Sequence, residues 1–85
     1  MFFDANTLYL HQKHTIMLFK QLGNRIKVRR NTLGITQKHL AELAEVSVNS
    51  IVKIENGQMN PSIEMVDRIA EILGMELTLQ VKKVI

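Results

Sequence analysis

Three times in this chain a run of apolar residues at helical spacing ends on a glycine, and three times a hydroxyl residue stands ready to open such a run. Leu18, Leu22, Ile26 and Leu33 recur on one helical face before Gly34. Thr36 precedes Leu40, Leu43 and Ala44, and Ser47 precedes a run that reaches about Asn56 and stops at Gly57. Ser62 precedes Ile63, Val66, Ile69, Ala70, Ile72 and Leu73, and Gly74 closes that run. A hydroxyl at an N-cap accepts one of the orphan N–H groups of the first turn, and a glycine past the last turn takes the left-handed conformation that ends a helix. The pattern predicts four helices beginning near 17, 36, 47 and 62. Asn60-Pro61 interrupts the third and fourth, because the residue before a proline is pushed out of helical geometry. Ala41 is small enough for two helices to approach closely, and Glu45-Val46 falls where the second must turn into the third. A positive φ at that turn would be mildly strained by glutamate.

The two ends read differently. Over residues 75–82 apolar and polar residues alternate, with Met75, Leu77, Leu79 and Val81 on one side, which is the signature of a strand. A lone strand cannot satisfy its own backbone, so a partner is required. The candidates are Thr7-Leu8-Tyr9-Leu10, itself readable as a short strand or as the start of a helix, and the same strand from a second copy. The expectation is an all-α bundle of four to five helices plus one C-terminal β-strand paired across a dimer. Residues 1–16 form an N-terminal extension (an arm, a strand or a leader), 17–74 the helical domain and 75–85 the dimerisation segment.

Residues 36–57, a capped helix, a tight turn and a second capped helix, fit a helix-turn-helix, whose second helix lies in the major groove of DNA. At 100° per residue Ile51 and Ile54 share a face with Ser47 and Ser50, which points inward. The opposite face carries Val48, Asn49, Val52, Lys53 and Asn56. An apolar pair at 48 and 52 suits thymine methyls, unless it packs against another protein element. Asn49 can donate and accept in a bidentate pair with adenine, and Lys53 can reach guanine or a phosphate. Charge agrees: after Asp4 no acid occurs before Glu42, while Lys13, Lys20, Arg25, Lys27, Arg29, Arg30 and Lys38 fall in that stretch. A basic half beside an acidic half suits a polyanion on one face and protein on another.

The run Leu33-Gly34-Ile35-Thr36-Gln37, with Leu40-Ala41, Val46-Ser47, Ile51, Ile54-Glu55-Asn56-Gly57 and Pro61 at their spacings, closely resembles the XRE family of phage repressor/Cro-type regulators over residues 22–74. The resemblance implies a lambda repressor-like helical bundle. It implies base reading by Val48, Asn49, Val52 and Lys53, and phosphate contacts from Thr36, Gln37, Lys38, Ser47 and Asn56. Gln37 would also brace the recognition helix, and Arg30 and Glu55 would form a structural pair locking the first helix to it. Many family members carry glycine where this chain has Glu45. A narrower resemblance, over Leu73-Gly74-Met75-Glu76-Leu77-Thr78-Leu79, is to HipB-type antitoxin regulators, which implies a strand-paired homodimer, a HipA-type kinase toxin as partner and autorepression of a toxin–antitoxin operon.

Other classes fare worse. The chain has no cysteine, so neither a disulfide nor a thiolate metal site is available. His11 and His14 are three apart but have only Asp4 nearby, and His39 stands alone beside Lys38. No phosphate-cradling glycine loop or nucleophile–base set occurs. No catalysis, metal or cofactor is expected. Apolar residues are 46% of the 85, enough for a core, yet no run approaches the roughly 20 needed to span a membrane and the N-terminus lacks a signal-peptide pattern. The expectation is a cytoplasmic, dimeric repressor on double-stranded DNA with an inverted-repeat operator. Two alternatives stay open: an interaction module that neutralises a toxin with little DNA binding, and a stand-alone regulator without a toxin partner.

Overall fold

The computed structural model describes residues 5–82, with side chains from residue 13 onward. Asp4, the side chain of His11, and residues 83–85 of the expected dimerisation segment lie outside the described residues. Four helices follow in order: α1 (Ala5–Thr32), α2 (Gln37–Ala44), α3 (Val48–Glu55) and α4 (Ile63–Ile72).

The sequence punctuation is where the helices end. Thr36, Ser47 and Ser62 are the N-caps of α2, α3 and α4, in extended backbone, and their hydroxyls accept from the N–H of His39, Ser50 and Met65. After α1, the Gly34 N–H donates to Asn31 O and the Ile35 N–H to Arg30 O, with Gly34 at φ +69. That left-handed step turns the chain directly into the cap of α2. Between α2 and α3 the same conformation falls on Glu45, at φ 58 and ψ 43. The turn thus has the geometry that strains a glutamate, held by the Val46 N–H on Ala41 O at 3.0 Å.

The core gathers Ile26 from α1, Leu40, Ala41 and Ala44 from α2, Ile51 and Ile54 from α3, and Ile69 and Leu73 from α4 and its end. Two arginines tie helix ends across it. Arg29 Nε donates to Leu73 O at 2.8 Å, and Arg68 donates to Ala44 O at 3.0 Å, each satisfying a terminal carbonyl with no intrahelical partner. Four apolar residues read as inward-facing are not. Leu18, Leu33 and Leu43 are roughly half exposed, and Ile63, the first residue of α4, is largely exposed.

Residues 1–16 were expected to precede the first helix, but the described part of that stretch is helical from Ala5, so Thr7–Leu10 belongs to α1. This bears on the other end of the chain. The C-terminal β-strand expected over 75–82, with Met75, Leu77, Leu79 and Val81 as its pairing side across a dimer, is not formed: the described residues contain helices only, and 75–82 carries no regular structure. A strand exists only through ladder bonds to a neighbour, and the one segment of the chain that could have supplied them is spent on α1. Met75 stays attached, its N–H bonded to Ala70 O at 2.8 Å and its side chain against the core. Leu79 and Val81 are fully or almost fully exposed.

Candidate nucleic-acid interface

The α2–α3 unit is built around one buried ion pair. Arg30, near the end of α1, donates through Nε to Glu55 Oε2 at 2.6 Å and through its second terminal nitrogen to Glu55 Oε1 at 3.0 Å. Its remaining nitrogen donates to Ile35 O at 2.8 Å, and Gln37 Nε2 donates to the same Glu55 Oε1 at 3.1 Å. One carboxylate at the last residue of α3 therefore joins α1 to the first residue of α2, and the same arginine ties in the α1–α2 turn. Arg30 and Glu55 are the buried charged residues of the described chain, and no buried side-chain polar atom there is left without a partner. The hydrogen bond to Glu55 raises the Arg30 pKa above its ordinary value, burial opposes that shift, and attraction to the carboxylate adds to it. The guanidinium is held charged, so the pair cannot relax by losing a proton.

A second feature fixes α3. Gly23 lies inside α1, and a Cβ there would stand 2.1 Å from Ile54 O and 2.9 Å from Glu55 O. Only glycine lets α1 run this close to the C-terminal carbonyls of α3. The sequence reading did not single out Gly23. Its signal was a lone glycine within a helical run, which usually has a packing reason.

With its back fixed, α3 presents the outer face expected of it. Ile51, Ile54 and Glu55 are buried, Val48, Asn49 and Lys53 are exposed, and Val52 is half-buried. Ser47 was placed on the inward face but is exposed, because its hydroxyl serves as the cap: Oγ accepts from the Ser50 N–H at 3.0 Å and lies 2.9 Å from Ser50 Oγ. The proposed phosphate-contacting residues fall at helix ends. Thr36 and Lys38 are exposed at the start of α2, Gln37 is half-buried on Glu55, and Asn56 is the exposed C-cap of α3. The start of α2 also offers N–H groups and the positive end of a helix dipole.

A capped helix, a turn closed by a left-handed residue and a second helix buried on one face and open to solvent on the other define a helix-turn-helix protein. Residues 26–80 match the helix-turn-helix family HTH_3, of XRE type, and the chain belongs to it. It is 41% identical over 51 residues to an uncharacterized HTH-type transcriptional regulator of Methanothermobacter thermautotrophicus, an alignment covering 60% of this chain and 74% of that one. It is 35% identical over 57 residues to the immunity repressor protein of Bacillus phage phi105, covering 67% of this chain and 40% of the repressor. The crystal structure of the clp gene regulator ClgR from Corynebacterium glutamicum superposes with a TM-score of 0.68 at 29% identity, covering 69% of this chain and 63% of that one. The chain thus spans less than two thirds of the phage repressor and of that ClgR chain.

Proposed function

We propose that this protein is a sequence-specific DNA-binding transcriptional repressor. The observation that carries the reading is the outer face of α3. Exposed Val48, Asn49 and Lys53 stand on a helix whose back is fixed by the Arg30–Glu55–Gln37 cluster. Recognition needs that rigidity, because a bidentate contact from Asn49 to adenine worth about 1–3 kcal/mol requires the helix to enter the groove in one orientation. Val48 and Val52 supply apolar contact, Lys53 reaches guanine or phosphate, and Thr36, Gln37, Lys38, Ser47 and Asn56 fix the register on the backbone. Similarity to regulators and to a phage repressor supports this reading. The chain acts by binding rather than by catalysis, in the cytoplasm where DNA is accessible.

We place two copies on an inverted repeat with half-sites about one helical turn apart, since one recognition helix reads only a few base pairs. The exposed side chains of Ile63, Leu77, Leu79 and Val81 offer apolar surface for the contact between copies. Partnership with a HipA-type kinase toxin drew on residues 73–79 continuing into a paired strand. Without that strand, a regulator acting on its own is the reading we keep.

The test is binding to the DNA upstream of its own gene against a scrambled duplex, across a salt series. Strong preference for the upstream DNA, lost in Asn49→Ala, is the expected result. Equal, weak binding to both duplexes would overturn the reading.

A further inference from the structure

Lys13, Lys20 and Lys27 are spaced by seven residues along α1, all three exposed. At 3.6 residues per turn they fall within about 40° of one another and span about 21 Å of the helix. They flank the side of α1 that meets α3, about 40–100° round the helix from Gly23 and Arg30. Lys20 and Lys27 alternate along the helix with Gly23 and Arg30, the two residues through which α1 meets the end of α3. A Cβ on Gly57, just past α3, would stand 2.7 Å from Lys20 Cγ and 2.9 Å from its Cα. Arg29, on the far side of α1, is occupied by the carbonyl of Leu73. None of the three lysines is in an ion pair with a described residue, and α1 contains no acid to neutralise them.

We infer that this lysine row is a second phosphate-binding ridge, continuous with the edge of the helix-turn-helix at Asn56-Gly57, that grips the DNA backbone beside the C-terminal end of α3. The inference rests on the DNA-binding reading and deepens it. A duplex carries one negative charge per about 1.7 Å of axis, so a ridge of this length laid along the backbone would face phosphates over all of it. Lys13 sits about 10 Å along α1 from the Lys20–Gly57 contact, at 1.5 Å per residue, and so extends the contact beyond the helix-turn-helix itself. Phosphate contacts carry affinity without sequence information, so the ridge would strengthen binding to every duplex equally.

The test compares the full chain with Lys13→Gln/Lys27→Gln, two exposed positions, on the upstream and the scrambled duplex from low to high salt. Each lost contact lowers the slope of log affinity against log salt by about 0.9, so the double variant loses nearly two units. Affinity at low salt should fall by the same factor, tenfold or more, on both duplexes, leaving the preference between them intact. Lys82→Gln, which removes one charge from the C-terminal segment, measures the general effect of net charge. A double variant whose slope drops by no more than twice that of the Lys82→Gln control, or whose preference falls while its slope holds, overturns the ridge. If wild type shows no preference, the repressor reading fails, and the slope on scrambled DNA still decides the ridge.

Discussion

The α2–α3 unit and the segment 75–82 carried equally regular patterns in the sequence, one with a period of 3.6 and the other with a period of 2, yet only the first became structure. A helix bonds its own backbone, so a cap at Thr36 or Ser47 and an apolar stripe suffice to start it, and packing on α1 does the rest. A strand borrows its hydrogen bonds from a neighbour. Alternation at Leu77, Leu79 and Val81 specifies which side chains would share a face, but supplies no ladder.

The contrast breaks most sharply at Glu55. Glu55→Gln would leave the Arg30 guanidinium buried against a neutral amide. Removing one partner of such a pair costs about 3–5 kcal/mol, a large share of the roughly 5–15 kcal/mol that holds a small domain together. Urea unfolding should show the midpoint collapse; a loss below about 1 kcal/mol would mean that the cluster does not hold α3.

Gly23→Ala comes next. The added methyl cannot fit 2.1 Å from Ile54 O, so α1 or α3 must shift. Overpacking of this kind costs about 1–3 kcal/mol, only partly offset by the gain of about 1 kcal/mol in helix propensity. Thermal unfolding gives the size. A Tm equal to or above wild type would show that α1 and α3 are free to move apart.

Glu45→Gly should act in the opposite direction. Glutamate at φ 58 sits in a region that costs a residue with a Cβ about 1–2 kcal/mol, while glycine loses about 0.4–1 kcal/mol more backbone entropy on folding. The net expectation is a gain of about 0.5 kcal/mol in urea unfolding, with unchanged far-UV dichroism. A loss would mean that the turn depends on the glutamate side chain.

What was legible in the sequence follows the same division. The caps Thr36, Ser47 and Ser62, the stops at Gly34 and Gly57, the position of the turn at Glu45-Val46 and the outward face of α3 all depend on residues within one or two turns of each other, whereas the left-handed conformation of Glu45 was raised only by the glycine that family members carry there. Arg30–Glu55 spans 25 positions and was legible only because the surrounding motif resembles a known family. The rest was set by distant partners. Leu33 and Leu43 have the right spacing for the core but are left about half exposed at its edge, and Ile63 opens α4 away from it. The Arg29 bond to Leu73 O, the Arg68 bond to Ala44 O and the approach of Gly23 to Ile54 join elements whose proximity no local pattern announces. The helical state of residues 5–16 was ambiguous for a different reason: Thr7–Leu10 is too short and too apolar for its period to separate helix from strand.

The smallest effect on a single folded copy is expected at Leu79, and it sharpens the comparison most. The side chain is fully exposed, so Leu79→Ser removes no buried contact and should change the stability of dilute protein by less than about 0.5 kcal/mol. At high concentration the outcome should differ. If the contact between copies uses Leu77, Leu79 and Val81, association adds to wild-type stability by mass action, and Tm rises with protein concentration. Leu79→Ser would then keep the dilute Tm, lose the concentration dependence and sediment as a monomer where wild type sediments as a dimer. A concentration-independent Tm for both proteins would move the contact between copies off this segment, and a large loss in dilute Leu79→Ser would mean that 75–82 packs on its own domain after all. The α2–α3 unit carries its stability within one chain, whereas Leu79 and Val81, beyond the anchor at Met75, can add stability only through contact with a second molecule.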